Sequence, residues 1–189
     1  MIYPRVALIG LGLIASSMAH AMRAKGLAGE IIGHAKSAET RNVALEIGIC
    51  DRVCATAAEA VAGADLVVLA VPVGAMAAIA AEIAPHLAPG CTVTDVGSVK
   101  QAVIEAVAPQ LPAGCHFIPG HPMAGTEYSG PRSGFATLFN NRWWLLTPDA
   151  ATDAAALARL RSLLEEMGAK VDMMDAAHHD LVLAVVSHT

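Results

Sequence analysis

Two short segments carry the side chains best suited to moving a proton. In Gly120-His121-Pro122-Met123-Ala124-Gly125-Thr126-Glu127, the proline holds the preceding histidine out of helical conformations, so the imidazole has an extended placement at the end of a strand. An imidazole titrating near neutrality can accept a hydroxyl proton while hydride leaves the same carbon. A loop histidine satisfied by backbone is the competing reading and, on composition alone, weighs about the same. In Asp95-Val96-Gly97-Ser98-Val99-Lys100, a hydroxyl follows directly on a strand end. Ser98 there caps the next helix, hydrogen-bonds a site histidine, or does both. Asp95 and Lys100 read as structural or solvated.

A hydride needs an acceptor, and the N-terminus supplies a place for one. The apolar strand Val6-Ala7-Leu8-Ile9 runs into Gly10-Leu11-Gly12-Leu13-Ile14-Ala15, a Gly-x-Gly-x-x-Ala turn that opens a helix. Gly10 permits the tight turn, Gly12 lets backbone approach a pyrophosphate, and the small Ala15 lets helix pack on strand. The backbone N–H groups at the helix start, with Leu13 and Ile14 in its first turn, face the phosphates with the positive end of the helix dipole. The strand before and the helix after are the context that separates this fingerprint from an ordinary glycine turn.

Apolar runs alternate with alanine-rich helical stretches. Strands are expected at 6–9, 30–33, 65–71, 92–96, 116–119, 142–147 and 170–174, and helices at 13–25, 38–47, 99–108 and 154–167. A capping box, Thr56-Ala57-Ala58-Glu59, starts a short helix, and Pro72 leads another that ends near His86. The alternation predicts an α/β fold with a doubly wound parallel sheet of Rossmann type, extended by the last two strands. Residues 120–134 read as a Gly- and Pro-rich loop. Residues 1–174 form the dinucleotide-binding domain, and 175–189 begin a helix that leads into a helical domain absent from this chain. In such sheets ligands bind beyond the carboxyl ends of the strands, so Val71 and Pro72 wall the cofactor mouth.

Composition narrows the partners. The 189 residues are 55% hydrophobic and carry a formal charge of -5 without runs of Lys and Arg, which fits a small-molecule ligand and disfavours nucleic acid or an anionic membrane. The apolar stretch 66–83 is broken by Pro72 and Gly74, as a strand leading into a helix requires. Cys50, Cys54, Cys91 and Cys115 form no Cys-x-x-Cys pair and read as reduced residues of a cytoplasmic protein. His178-His179-Asp180 reads as a solvated helix start, because adjacent helical histidines point to different sides and none has an i+4 partner, so no metal is expected.

Taken in order and spacing, the glycine turn, Asp95 to Lys100, His121 to Glu127 and the terminal Ser187-His188 resemble the prephenate/arogenate (cyclohexadienyl) dehydrogenases of tyrosine biosynthesis. The resemblance implies oxidative decarboxylation of prephenate or arogenate with NAD or NADP, giving 4-hydroxyphenylpyruvate or tyrosine. It assigns His121 as the catalytic histidine and Ser98 as the serine that orients it beside the nicotinamide. Thr126, Glu127 and His188 are implied at the substrate mouth. Thr189 departs from the family's leucine at that position. The family's helical C-terminal domain, implied to supply a substrate-binding arginine and the homodimer contact, is not in this chain, which on its own is expected to be weakly active or inactive.

An NAD site places Asp or Glu about 20 residues beyond the glycines, on the ribose 2′-hydroxyl. Here the segment is His34-Ala35-Lys36-Ser37, with alanine at the expected acid. With no carboxylate to repel a 2′-phosphate, and with Lys36 and Ser37 to contact it, the expectation tilts toward NADP, with NAD the alternative. Two other readings share the glycine turn. A non-catalytic sensor of cofactor redox state has no need of His121 beside Ser98, and a β-hydroxyacid dehydrogenase releases no carbon dioxide.

Overall fold

The computed structural model describes residues 1–187, so His188 and Thr189 lie outside the described residues. A six-stranded parallel sheet is built from β1 (Tyr3–Ile9), β2 (Ala28–His34), β3 (Arg52–Cys54), β4 (Leu66–Leu69), β5 (Thr92–Asp95) and β6 (His116–Phe117). The spatial order is β3-β2-β1-β4-β5-β6. The order reverses between β1 and β4, and this switch point opens a crevice outside the strand ends. Along β1, Val6 and Leu8 enter one core while Ala7 and Ile9 enter the other, because successive strand residues face opposite sides. The first core packs α1 (Leu13–Ala24) and α6 (Ala154–Glu166) on the sheet, and the second packs α4 (Val73–Ile83) and α5 (Gln101–Val107). All four residues of β4 are buried, as a strand covered on both faces must be.

Caps agree with the sequence at several helix starts. Ser37 accepts from Thr40 N at 3.3 Å to open α2 (Ala38–Glu46), and Thr56 accepts from Glu59 N at 3.2 Å to open α3 (Ala57–Ala60). The edge strand β3 was not expected, being three residues long with a charged Arg52 and little apolar signal.

The expected extension of the sheet takes a different form. Gly120–Pro122, expected to be loop, is strand β7; it pairs antiparallel with β8 (Trp143–Leu146), which pairs parallel with β9 (Lys170–Met173), in a separate three-stranded sheet. Residues 116–122 serve both sheets. Ile118 N bonds to Val93 O at 2.9 Å on one side, and Thr147 N bonds to Pro119 O at 3.0 Å on the other. Pro119 and Pro122 have no N–H to continue a single ladder, and the Gly120 N–H bonds a side chain instead, at 3.1 Å to Asp95 Oδ1. Pro131–Ser133 forms a 3-10 turn within the segment expected to be loop. The chain ends its described part in α7 (Ala176–Ser187), and no helix of the described residues is long and apolar enough to cross a membrane.

Lys100 and Asp95, expected to be structural or solvated, form a sealed ion pair. Both side chains are 0% exposed, with Nζ 2.5 Å from Asp95 Oδ2 and from Gly120 O. Asp95 Oδ2 also accepts from Gly97 N at 2.8 Å. Removing one partner strands an uncompensated charge. Asp95→Ala is therefore expected to destabilise the fold by about 3–5 kcal/mol, while Asp95→Leu combined with Lys100→Met recovers much of that, both read by urea unfolding.

Candidate active site

Gly10 follows β1 with φ +95°, a conformation open to glycine, and a Cβ there would sit 2.5 Å from Ala70 O at the end of β4. At Gly12 an added Cβ meets nothing within 4 Å, so the space above the turn is open. Gly12 is also the N-cap of α1; it offers no capping side chain, and the first turn holds no acidic residue. The N–H groups of Leu13 and Ile14 are thus left for an anion. Half-buried, the two side chains pack on the main core. A groove of about 600 Å³ runs from this turn along the strand ends, lined by Gly10, Gly12, His34, Ala35, Lys36, Val71 and Pro72. Size, open backbone and an uncapped helix start fit a dinucleotide.

At the far end of the groove the position expected for an acid is a buried alanine, Ala35, followed by an exposed Lys36. His34 Nδ1 lies 2.9 Å from Cys54 O, which ties its ring to β3. Ser37 does not line the groove, its oxygen being used in the α2 cap; Thr40, one turn on, lines it instead. Arg41, not anticipated from the sequence, reaches back to the carbonyls of Ala35 at 2.7 Å and Lys36 at 3.1 Å. A second cation thereby sits beside Ala35.

His121 lies on β7, 8% exposed, beside the carboxyl end of β5, one strand beyond the β1–β4 crevice. Its placement depends on the neighbouring Gly120, whose N–H and carbonyl are held by Asp95 and Lys100. The Nδ1 of His121 is 2.9 Å from Nε2 of His179, and the two rings meet edge to face at 73°. Nε2 of His121 has no partner among the described residues and is not one of the sealed polar atoms without partners, so it is open to solvent. Burial first, then the nearby His179 and Lys100, push the His121 imidazole down from 6.5 to about 4, against the pull of Asp180.

His178-His179-Asp180 is not the solvated helix start that its sequence predicts. His178 is exposed, but His179 is 0% exposed and its Nδ1 lies 2.8 Å from Asp180 Oδ1. Asp180 Oδ1 accepts from Lys100 N at 2.8 Å and Oδ2 from Gln101 N at 3.0 Å, so α7 caps the start of α5. Burial raises the Asp180 carboxyl, but the bonds from His179, Lys100 and Gln101 outweigh it and hold the group below the usual carboxylate range. A sequence signal existed: Ala176, His179, Asp180 and Leu183 recur at helical spacing and are the less exposed positions of α7, while Leu181 and Val185 face outward.

Other expected residues are placed less centrally. Ser98 is exposed on the loop after β5 and has no hydrogen bond to His121 among the described residues. Nor is it the cap of α5, which begins at Gln101 with Lys100 as N-cap. Thr126 and Glu127 lie on an exposed loop, the Thr126 hydroxyl accepting from Tyr128 N at 3.1 Å in a local turn.

Comparison with known proteins agrees with this geometry. The nucleotide-binding domain of prephenate dehydrogenases matches residues 18–173. A cyclohexadienyl dehydrogenase of Zymomonas mobilis is 44% identical over 188 residues, covering 99% of this chain and 64% of the relative, so the chain spans about two thirds of that protein. The prephenate dehydrogenase of A. aeolicus, solved with hydroxyphenyl propionate and NAD+, superposes with a TM-score of 0.90 at 32% identity, over 98% of this chain and 64% of that one. The Synechocystis arogenate dehydrogenase gives 0.90 at 34% identity, over 97% and 64%. With a groove at the switch point and a buried histidine one strand beyond it, the chain belongs to the prephenate dehydrogenase family and carries its nucleotide-binding domain.

Proposed function

We propose that the full-length protein oxidises and decarboxylates prephenate, arogenate or both with a nicotinamide dinucleotide. The observation that carries this is the free Nε2 of a buried His121 whose Nδ1 is engaged, one strand beyond a groove that fits a dinucleotide. The dinucleotide, held by the N–H groups at the start of α1 and by the β4 wall, supplies the hydride acceptor. His121 Nε2 binds the substrate's ring hydroxyl and takes its proton as the carbon beneath becomes a carbonyl. Breaking the bond to the ring carboxylate then releases carbon dioxide, and its electron pair makes the ring aromatic. The carbonyl becomes a phenolate, to which His121 returns the proton. The names of the Zymomonas, A. aeolicus and Synechocystis relatives support this substrate class.

Ser98, exposed on the loop after β5, is the residue we place between cofactor and substrate, with Thr126 and Glu127 at the substrate mouth. Residues 1–174 form the nucleotide-binding domain, and α7 leads into a helical domain that completes the substrate site and the homodimer. NADP is the favoured cofactor because Ala35 carries no charge while Lys36 and Arg41 stand beside it, with NAD the alternative. The unpaired cysteines suit a cytoplasmic enzyme acting on small molecules, with neither nucleic acid nor membrane as partner.

In the full-length protein, His121→Ala is expected to lower kcat with prephenate or arogenate by about 10²–10⁴-fold while nucleotide affinity holds. Undiminished turnover would remove His121 from the chemistry. Because the imidazole titrates at about 4 and acts unprotonated, the acid limb of kcat/KM assigned to it is expected near that pH, below the 6.5 of a free histidine. Between those two values the unfolded chain binds a proton that the native one does not, so His121 makes stability fall as pH drops through the window, which unfolding at several pH values measures. Lys36→Ala is expected to weaken NADP about tenfold and leave NAD unchanged, by fluorescence titration, the loss of one charge-assisted hydrogen bond.

A further inference from the structure

His179 and Asp180 are absent from the chemistry above, yet His179 is buried against His121 and the partly exposed Asp180 holds the other nitrogen of His179. We propose that Asp180, acting through His179, is a positioning residue that fixes the tautomer of His121 and so keeps its Nε2 free to accept the substrate proton. This rests on the reading of His121 as general base.

A carboxylate only accepts, and Asp180 is held as a carboxylate by the backbone N–H groups of Lys100 and Gln101. His179 must therefore place a proton on Nδ1 to donate to Asp180 Oδ1 at 2.8 Å. Its Nε2 is then an acceptor, and the only complementary arrangement across the 2.9 Å contact puts the proton of His121 on Nδ1. Nε2 of His121 is left with a lone pair, as a base requires. When that nitrogen takes up a proton, the positive charge is met through His179 by a carboxylate, without moving the proton further. Because the same carboxylate caps α5, it is locked in rotation and cannot present a different edge to His179. Burying a polar chain of this kind is costly unless every member is paired, and the one unpaired atom is the atom the reaction uses.

The test replaces one oxygen by a donor. In the full-length protein, Asp180→Asn turns its amide nitrogen either toward His179 Nδ1 or toward the Gln101 N–H, where two donors meet and no hydrogen bond forms. The first choice reverses both histidines and puts the His121 proton on Nε2; the second frees the α5 cap. Nitrogen-15 NMR of histidine-labelled protein without substrate should show His121 protonated on Nδ1 in the wild type, and on Nε2 or in mixture in the variant. kcat should fall by about 10²–10⁴-fold with nucleotide affinity held, as expected for a base in the wrong tautomer. His179→Phe, which leaves Asp180 on α5, should likewise lose the Nδ1 tautomer, so poor folding of the first variant does not remove the test. A role confined to capping α5 would lower stability and leave the His121 tautomer and kcat of His179→Phe unchanged, and that result overturns the proposal. A wild type inactive on both substrates but with the Nδ1 tautomer of His121 would instead overturn the assigned reaction and leave the positioning role of Asp180 standing.

Discussion

At the carboxyl end of β5, one carboxylate organises the surroundings. Asp95 gathers the Nζ of Lys100, the N–H of Gly97 and the N–H of Gly120 in a site closed to water. Each ion is costly to bury alone, so the pair and its backbone partners stand or fall together. Through Gly120 the cluster sets the start of β7 and hence His121. Through Lys100 it sets the start of α5, onto which α7 docks its Asp180 and brings His179 against His121. The histidine thus takes its position from two elements that meet at one ion pair.

The nucleotide half of the site obeys a different constraint, the closeness of backbones. Gly10 must pass within contact of Ala70 where the strand order reverses, and the adjacent helix start must stay uncapped for phosphates. These demands fall on residues contiguous in sequence. Those of the hydrogen-bonded chain behind His121 fall on β7, α5 and α7, with His179 lying 58 positions after His121. Joining the halves is the segment 116–122, which leaves the parallel sheet and enters the smaller one without leaving the strand ends.

Residue patterns made much of this legible. The buried runs of β1 and β4, the Thr56 cap, the glycine turn and the extended placement of His121 before Pro122 each express a local rule, and each holds in the structure. Ser98 and His179 depart from expectation because the groups that decide them lie far along the chain. Lys100 and Asp95 take the structural of the two roles the sequence leaves open, because the Gly120 carbonyl at the start of β7 closes over the pair. Ser98 was given a cap that Asp180 provides from α7. His179 looked solvated because adjacent helical residues diverge, although only one of them needs to face inward.

By itself, then, the sequence determined a parallel α/β domain, a dinucleotide turn after its first strand and a histidine held extended at a strand end. Local stereochemistry governs all three: glycine at positive φ, proline's restriction of its neighbour, and apolar runs long enough to be covered on both faces. Only the tertiary structure decided that β8 and β9 join β7 in a sheet of their own, that Arg41 reaches back to Ala35, and that an acid and a second histidine stand behind His121. Those are matters of which buried polar group finds which partner, and hydrogen bonds between distant segments leave no periodicity along the chain.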